Sequence, residues 1–278
     1  MTVRQLESAP ALGRLYARAA MTARGRHGDQ LPDTSYELAS VSIDLDRLLR
    51  YEEVCGFRHS DQLPPTYPHV LGFPVAAQLM IEPAFPFPLP GMVHLQNHIT
   101  QDRPIKADEK LTVRVRSANL RDHPRGRQFD MITEASVGGG LIWTETSTYL
   151  RRERVTPSPS GGWQGGGNHP TSIWRIPADI GRRYAAVSGD VNPIHLNPLI
   201  ARLFGFRRAI AHGMWLKARC LAALEGRLSE RLTVDVEFKS PLLLPSTVAF
   251  TASGGDDRWS MRVFDLRGER PHLQGSVN

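Results

Sequence analysis

Apolar positions in the first 152 residues recur with two spacings, one helical and one alternating. Helical spacing at residues 12–24 predicts an arginine-rich surface helix, and residues 44–54 predict a second helix with Asp44 as its N-cap. A mostly apolar run at 71–81 predicts a buried helix, which Gly72 and Pro74 restrict to the later part of the run. Alternation predicts strands at 36–43, 94–100, 110–120, 128–137 and 141–151, the last four as an antiparallel meander.

The order of predicted elements repeats after residue 170. The second set comprises a strand at 174–177, helices at 179–187, near 198–203 and at 214–225, and strands at 233–238, 247–253, 260–266 and 272–277. Residues 153–170 are dominated by proline, glycine and serine and have no periodicity, so they predict a linker. The expected domains are therefore 1–152 and 171–278, and the proline-rich residues 60–70 are expected to form a loop.

The two halves also align in sequence. Residues 51–56 match residues 184–189 at an offset of 133 (184 − 51), and Pro104 matches Pro241 at an offset of 137 (241 − 104). At the first offset Asp190 falls on Phe57 and His195 falls on Gln62. An acid–base pair in the second half would therefore have no counterpart in the first half.

The candidate chemistry is concentrated in two short segments of the second half. In SGDVNPIH, residues 188–195, an Asp, an Asn and a His lie on a segment that Gly189 and Pro193 prevent from being one regular helix, so a loop is predicted. In IAHGM, residues 210–214, a turn of small residues opens into an apolar run at 215–224. Backbone N–H groups near Gly213 would thus lie at a helix N-terminus, where they could bind an oxyanion.

Composition narrows the class of protein. A net charge of +6 and a pI near 9.7 favour anionic partners, but only four of the 34 basic residues are lysines and the arginines are dispersed, which argues against a nucleic-acid groove. No apolar run approaches the length of a membrane span, and the start of the chain lacks the continuous apolar stretch of a signal peptide, so a cytoplasmic location is expected. Cys55 and Cys220 have no metal-ligand spacing and are expected to be buried, inert thiols.

The two segments resemble the MaoC-like (R)-specific enoyl-thioester hydratases. That family combines a [ST]-x-D-x-NP-[IL]-H loop with a following [IV]-x-HGM turn. The matching residues here are Asp190, Asn192, Pro193, His195, His212, Gly213 and Met214. The repeat with a degenerate first half resembles the double-hotdog branch, which includes bacterial 3-hydroxyacyl-thioester dehydratases. The resemblance implies an α+β fold in which two fused units, each a long helix wrapped by an antiparallel sheet, make one chain mimic a homodimer.

The resemblance also implies a mechanism. Asp190 and His195 would hold one water between them, the Gly213 N–H would stabilise the enolate, and Asn192 would shape the same pocket. No cofactor and no metal are expected, since the substrate itself carries coenzyme A or the phosphopantetheine of an acyl carrier protein. The carrier, the acyl chain length, the physiological direction and a possible homodimer are left open.

Several residues have a structural as well as a functional interpretation. Taken alone, Asp190 could form an Asx turn and His195 could be a loop histidine, but their spacing favours catalysis. His212 is expected to be mainly structural. Packing or loop bonding is expected for Tyr184 and Ser188, and packing in the core or an interface, in preference to metal binding, for His94 and His98. Either phosphate contact or surface charge is expected for Arg207, Arg208, Lys217 and Arg219.

Two other functions stay open at this point. A hotdog thioesterase would use the same fold, and a non-catalytic acyl-thioester-binding subunit would suit the degenerate first half. The apolar, proline-rich residues 84–91 are expected to wall a cavity for a longer acyl chain.

Overall fold

The computed structural model describes residues 2–21, 26, 28–89, 91–153, 170–255, 258–268 and 270–278. The first half contains β1 (Thr2–Leu6), α1 (Leu12–Met21), β2 (Thr34–Val41), α2 (Leu45–Cys55), α3 (Tyr67–Met80), β3 (Met92–Gln101), β4 (Leu111–His123), β5 (Gly126–Val137) and β6 (Gly140–Arg152). The second half contains β7 (Ser172–Ile176), α4 (Ile180–Ser188), α5 (Pro193–Leu196), α6 (Pro198–Leu203), α7 (Gly213–Ala222), β8 (Leu232–Phe238), β9 (Ser246–Gly255), β10 (Arg258–Asp265) and β11 (Pro271–Val277).

The eleven strands of the described residues form one sheet with the order β1-β2-β4-β5-β6-β3-β8-β11-β10-β9-β7. Without β1 this order is symmetric about the antiparallel pair β3–β8. At that pair His98 lies directly opposite Asp235, and their separation in sequence (235 − 98 = 137) equals the second repeat offset. A pseudo-twofold axis therefore passes between these two residues.

A second pair of equivalent residues meets between the helices. The rings of Tyr51 on α2 and Tyr184 on α4 lie 6.1 Å apart, and their offset is the 133 found in the sequence. Both helices end at a glycine in the left-handed region, Gly56 with φ 85° and Gly189 with φ 79°. The predicted α+β double hotdog is thus confirmed. The predicted domain limits stay a prediction, and residues 154–169 of the predicted linker lie outside the described residues.

Helix α3 differs from the prediction at its start. It begins at Tyr67, inside the predicted loop, because Pro68 occupies its first turn, where a missing N–H costs nothing. Pro74 lies within the helix, and every residue of α3 except Gln78 is buried, so tertiary packing outweighs the local cost of the proline. Even so, no helix among the described residues is both long and apolar enough to cross a membrane.

Two features near the N-terminus were not predicted correctly. Strand β1, which pairs in parallel with β2, is largely exposed and has no alternating pattern to reveal it. The surface-helix prediction for α1 is wrong for one face, since Leu12, Leu15 and Ala19 are buried in the core. The other elements agree with the prediction to within a few residues, and Cys55 and Cys220 are buried, free thiols whose pKa values burial raises.

Candidate active site

The loop after α4 is shaped by its own short-range hydrogen bonds. Gly189 ends the helix with its N–H on the carbonyl of Ala185 at 2.8 Å. The Asp190 N–H then donates to Ser188 Oγ (3.1 Å), and Asp190 Oδ1 accepts from the Asn192 N–H (3.1 Å). Asn192 in turn caps the four-residue helix α5. The predicted loop is therefore present, and Asp190 forms an Asx turn that orients its own carboxylate.

Two contacts hold His195. Its carbonyl oxygen lies 2.2 Å from the position that a Cβ on Gly181 would occupy, so α4 and α5 pack together closely only because residue 181 is glycine. Its Nδ1 lies 2.8 Å from the carbonyl oxygen of Ile210. Because a carbonyl can only accept, Nδ1 carries the proton and Nε2 keeps a lone pair.

The structure brings the predicted acid–base residues together and adds a third. One carboxylate oxygen of Asp190 and one ring nitrogen each of His195 and His212 lie within 4.8 Å of one another. The two imidazole rings stack with centroids 3.7 Å apart. His212 Nε2 lies 3.0 Å from the Asp190 carbonyl oxygen, to which it donates, so this histidine ties the HGM turn to the loop. The three donor atoms are close enough to hold a metal ion, and the absence of a metal stays a prediction.

Burial and mutual contact decide the charges in this cluster. Burial lowers the pKa of His195, although Asp190 opposes the effect. Burial and the neighbouring His195 lower the pKa of His212 to about 3. For Asp190, burial raises the pKa, but His212, His195 and hydrogen bonds from Tyr16 and Asn192 together bring it below its ordinary value. At neutral pH the cluster therefore holds one carboxylate and two neutral imidazoles.

Gly213 is the first residue of α7, and its N–H meets the requirements of an oxyanion donor. His212 precedes it in extended conformation without capping the helix with its side chain. Among the described residues the Gly213 N–H has no protein acceptor. A Cβ at this position would lie 3.0–3.1 Å from the ring of Phe238, so glycine allows that ring to close over the backbone. A free N–H at a helix N-terminus attracts negative charge.

A cavity of about 160 Å³ joins these groups to the first half of the chain. Asp190, Asn192, His195 and Gly213 all line it. On the side of the first half, its apolar wall comes from α3, the start of β3 and the loop between them, through Val70, Phe73, Met80, Leu89 and Met92.

Of the described residues in the segment 84–91, which was predicted to wall the cavity, only Leu89 lines it. Phe85 and Phe87 instead pack against Phe129, with ring centroids 5.2 and 5.7 Å away.

Several residues at the site were not predicted. The hydroxyl of Tyr16, on α1, lies 2.9 Å from Asp190 Oδ1, and no sequence pattern connects positions 174 residues apart. His69 and Tyr149 of the first half also line the cavity, and both carboxylate oxygens of Glu145 lie 2.9 Å from His69 Nδ1.

The two histidines of β3 occupy different environments. The ring of His94 stacks on Tyr149 at 4.6 Å, consistent with the packing role expected for it. His98 pairs with Asp235 across the pseudo-twofold axis.

The predicted phosphate contacts have different environments. Arg207 and Arg208 are exposed, next to the cavity-lining residue Phe206. The prediction for Lys217 is wrong because this side chain is fully buried, and its Nζ lies 3.2 Å from the carbonyl oxygens of Asn97 and Val234. Arg219 lies over the ring of Trp174 at 5.2 Å.

Two family models match the chain. The model described as MaoC like domain matches residues 166–264, and the model described as FAS1-like, dehydratase domain region, matches residues 42–135. Each half of the pseudo-symmetric fold is thus matched by a dehydratase family.

Three comparisons illustrate the similarity. The 3-hydroxyacyl-thioester dehydratase X of Mycobacterium tuberculosis is 40% identical over 254 residues, which is 90% of each chain. The crystal structure of M. tuberculosis HtdX superposes with a TM-score of 0.80 at 38% identity, covering 87% of this chain and 98% of that one. Another M. tuberculosis protein, described as having a double hotdog fold, superposes with a TM-score of 0.50 at 10% identity over 93% and 97% of the two chains, which supports the fold alone.

The repeated fold, the geometry of the loop and the sequence identity support the same family assignment. This chain belongs to the family of MaoC-like dehydratases.

Proposed function

We propose that this protein catalyses the reversible hydration of trans-2-enoyl thioesters to (R)-3-hydroxyacyl thioesters. As a MaoC-like dehydratase it is a hydro-lyase. The observation that carries the proposal is the meeting of Asp190 and His195 in one cavity with the free N–H of Gly213. A base, an acceptor for water and an oxyanion donor are the groups that addition of water to an enoyl thioester requires.

The reaction follows from the protonation states. One water lies between the Asp190 carboxylate and the Nε2 lone pair of His195. As the water oxygen attacks C3, His195 accepts a proton from the water. Negative charge then moves through C2 to the thioester oxygen, to which the Gly213 N–H donates a hydrogen bond. The imidazolium then protonates C2, so that the elements of one water are added. Such acid–base assistance typically contributes about 10²–10⁴-fold, and one oxyanion donor about 3–4 kcal/mol.

Two isosteric substitutions test this assignment. Asp190→Asn and His195→Gln should each abolish hydration of crotonyl-CoA, followed as loss of enoyl absorbance, while the thermal unfolding midpoint stays near that of the wild type. Free thiol, measured with Ellman's reagent, separates hydration from thioester hydrolysis. Full turnover in both variants would overturn the proposal. Tight acyl-thioester binding without turnover at any chain length would instead indicate a binding subunit.

The identity of the carrier is a further part of the proposal. A phosphopantetheine arm carries a phosphate on both coenzyme A and acyl carrier protein, and arginine suits phosphate recognition. Arg207 and Arg208 are exposed beside Phe206, while Arg125 and Arg152 line the cavity itself. Comparing crotonyl thioesters of pantetheine and of 4′-phosphopantetheine in variants of each arginine pair would identify the contact.

The remaining expectations stay predictions. The proposed chemistry uses only protein groups and water, so no cofactor is required. A cytoplasmic location, a homodimer and the absence of nucleic-acid partners are likewise predictions. The apolar wall of α3 supports the proposal of a longer acyl substrate, which kcat/KM measured from C4 to C16 would test.

A further inference from the structure

The N-terminal segment, residues 2–21, lies outside the repeated fold. The two family models begin at residues 42 and 166, so neither includes it. Strand β1 also has no counterpart at the other end of the pseudo-symmetric sheet, which ends at β7. The segment is therefore an addition to the double hotdog, and its contacts need an explanation of their own.

Two interactions anchor this segment to the first half. Strand β1 pairs in parallel with β2, from Thr2 opposite Thr34 to Leu6 opposite Leu38. Helix α1 then buries Leu15 and Ala19 in the core. A helix held at its start by a strand and along one face by the core presents its remaining side chains in fixed positions.

Helix α1 contacts the catalytic loop at two consecutive residues. A Cβ on Gly189 would lie 2.9 Å from Cδ1 of Leu12, and the hydroxyl of Tyr16 lies 2.9 Å from Oδ1 of Asp190. Positions 12 and 16 are one helical turn apart and therefore share a face. One face of α1 thus fits the start of the loop.

The direction of this hydrogen bond is clear. Burial and the adjacent Asp190 raise the pKa of Tyr16 well above its ordinary value, so the phenol stays protonated and donates. Asp190 Oδ1 then receives two hydrogen bonds, from Tyr16 and from the Asn192 N–H. Its partner Oδ2 lies 3.7 Å from His212 Nε2, beyond hydrogen-bonding distance, and is left to accept from water.

We propose that Tyr16 is a positioning residue that holds the Asp190 carboxylate in its reactive orientation, so that the N-terminal segment completes the active site. This inference rests on the proposed function, because it assigns Asp190 to the reaction. Tyr16 acts through Asp190: its hydroxyl fixes one carboxylate oxygen and favours the ionised form.

Removing the hydroxyl alone tests the proposal. In Tyr16→Phe, kcat for crotonyl-CoA hydration should fall about tenfold, with KM within about twofold of the wild type, since an orientation effect is expressed in the transition state. The pKa of the Asp190 carboxyl, followed by ¹³C NMR, should rise. The matched control is Tyr51→Phe, which removes another buried hydroxyl, the one 2.8 Å from Thr66 Oγ1, and leaves both hydrogen bonds to Asp190 Oδ1 in place.

The outcomes separate this inference from the proposed function. Wild-type kcat and an unchanged Asp190 pKa in Tyr16→Phe, together with an inactive Asp190→Asn, would overturn the role of Tyr16 and leave the function intact. An active Asp190→Asn would overturn the function. If Tyr16→Phe does not fold, replacing Tyr16 by 3-fluorotyrosine keeps the ring and strengthens the donor, and should lower the Asp190 pKa; no change would overturn the proposal.

Discussion

The two halves of this chain share a backbone plan and differ in chemistry directly after equivalent helices. Both helices end at a left-handed glycine, Gly56 or Gly189. In the first half Phe57 follows, and Gln62 forms a β-bridge with Lys106. In the second half Asp190 follows, and His195 completes the pair. The two halves thus share a scaffold, while the predicted acid–base pair lies on a loop of a few residues in one half.

The first half nevertheless supports the second. Arg47 on α2 donates from Nε to the Val187 carbonyl (2.7 Å) and from Nη2 to the Ser188 carbonyl (3.0 Å), which holds the end of α4 immediately before the catalytic loop. The indole of Trp215 on α7 donates to the Val54 carbonyl at 3.0 Å. The first half therefore fixes the loop of the second half and, through α3, contributes apolar side chains to the cavity.

The largest effect is expected at a glycine that the halves do not share. At the first offset, Gly181 corresponds to Leu48 (181 − 133), which is buried. In Gly181→Ala the new methyl would collide with the His195 carbonyl, so α5 must move and kcat should fall about 100-fold. Gly255→Ala is the control, because among the described residues no atom beyond its chain neighbours lies within 4 Å of its Cβ position. Equal activity of both variants would show that His195 tolerates displacement.

The pH dependence of kcat/KM should depend on titrating groups of the second half only. The proposed reaction needs neutral His195, and burial lowers the pKa of this residue from its ordinary value of 6.5. Activity is therefore retained above that pKa and lost as the pH falls through it, by about tenfold per pH unit. The acid limb of kcat/KM for crotonyl-CoA should lie below pH 6.5. His94→Phe, which keeps the stack on Tyr149, should leave the pH of this acid limb unchanged. A shift of the acid limb in this variant would mean that a group of the first half titrates in the reaction.

A smaller effect on activity, selective for long substrates, is expected in the part of the apolar cavity wall that α3 contributes. Met80, on α3, is buried and lines the cavity. Met80→Phe adds volume, so kcat/KM for C12 and longer enoyl-CoA should fall about tenfold relative to that for C4, because only the longer chain needs the occupied space. The ratio within one enzyme preparation serves as the internal control. An equal loss at both lengths would mean that α3 does not contact the acyl chain.

The smallest expected effect is on stability, at the contact between α7 and the first half. Lys217 reaches from α7 to the Asn97 carbonyl of the first half, and burial lowers its pKa to about 7. Between pH 7 and 10.5 the unfolded chain binds a proton that the folded chain lacks, so stability rises with pH across that window. The free energy of unfolding, measured with urea at several pH values, should rise less steeply with pH in Lys217→Met than in the wild type, by up to about 1 kcal/mol per pH unit. An unchanged slope would mean that Lys217 is charged when folded.

Much of the fold was predictable because it is encoded locally. The αL glycines, the Asx turn at Asp190 and the alternation within β3 to β11 depend on neighbours a few residues away, and the repeat offsets can be found by alignment alone. Asp190 and His195 could be identified for the same reason, since they lie on one loop.

Only the tertiary structure decided which distant groups meet. Tyr16 reaches Asp190 because β1 and the core orient α1, and Lys217 is buried because its side chain extends from α7 to Asn97 on β3 and Val234 on β8. The start of α3 was also misplaced, since burial on all sides outweighs the local cost of its prolines. The sequence alone determined the loop that carries Asp190 and His195. Packing between the halves determined what surrounds that loop, because such contacts depend on the geometry of the whole sheet and have no periodicity in the sequence.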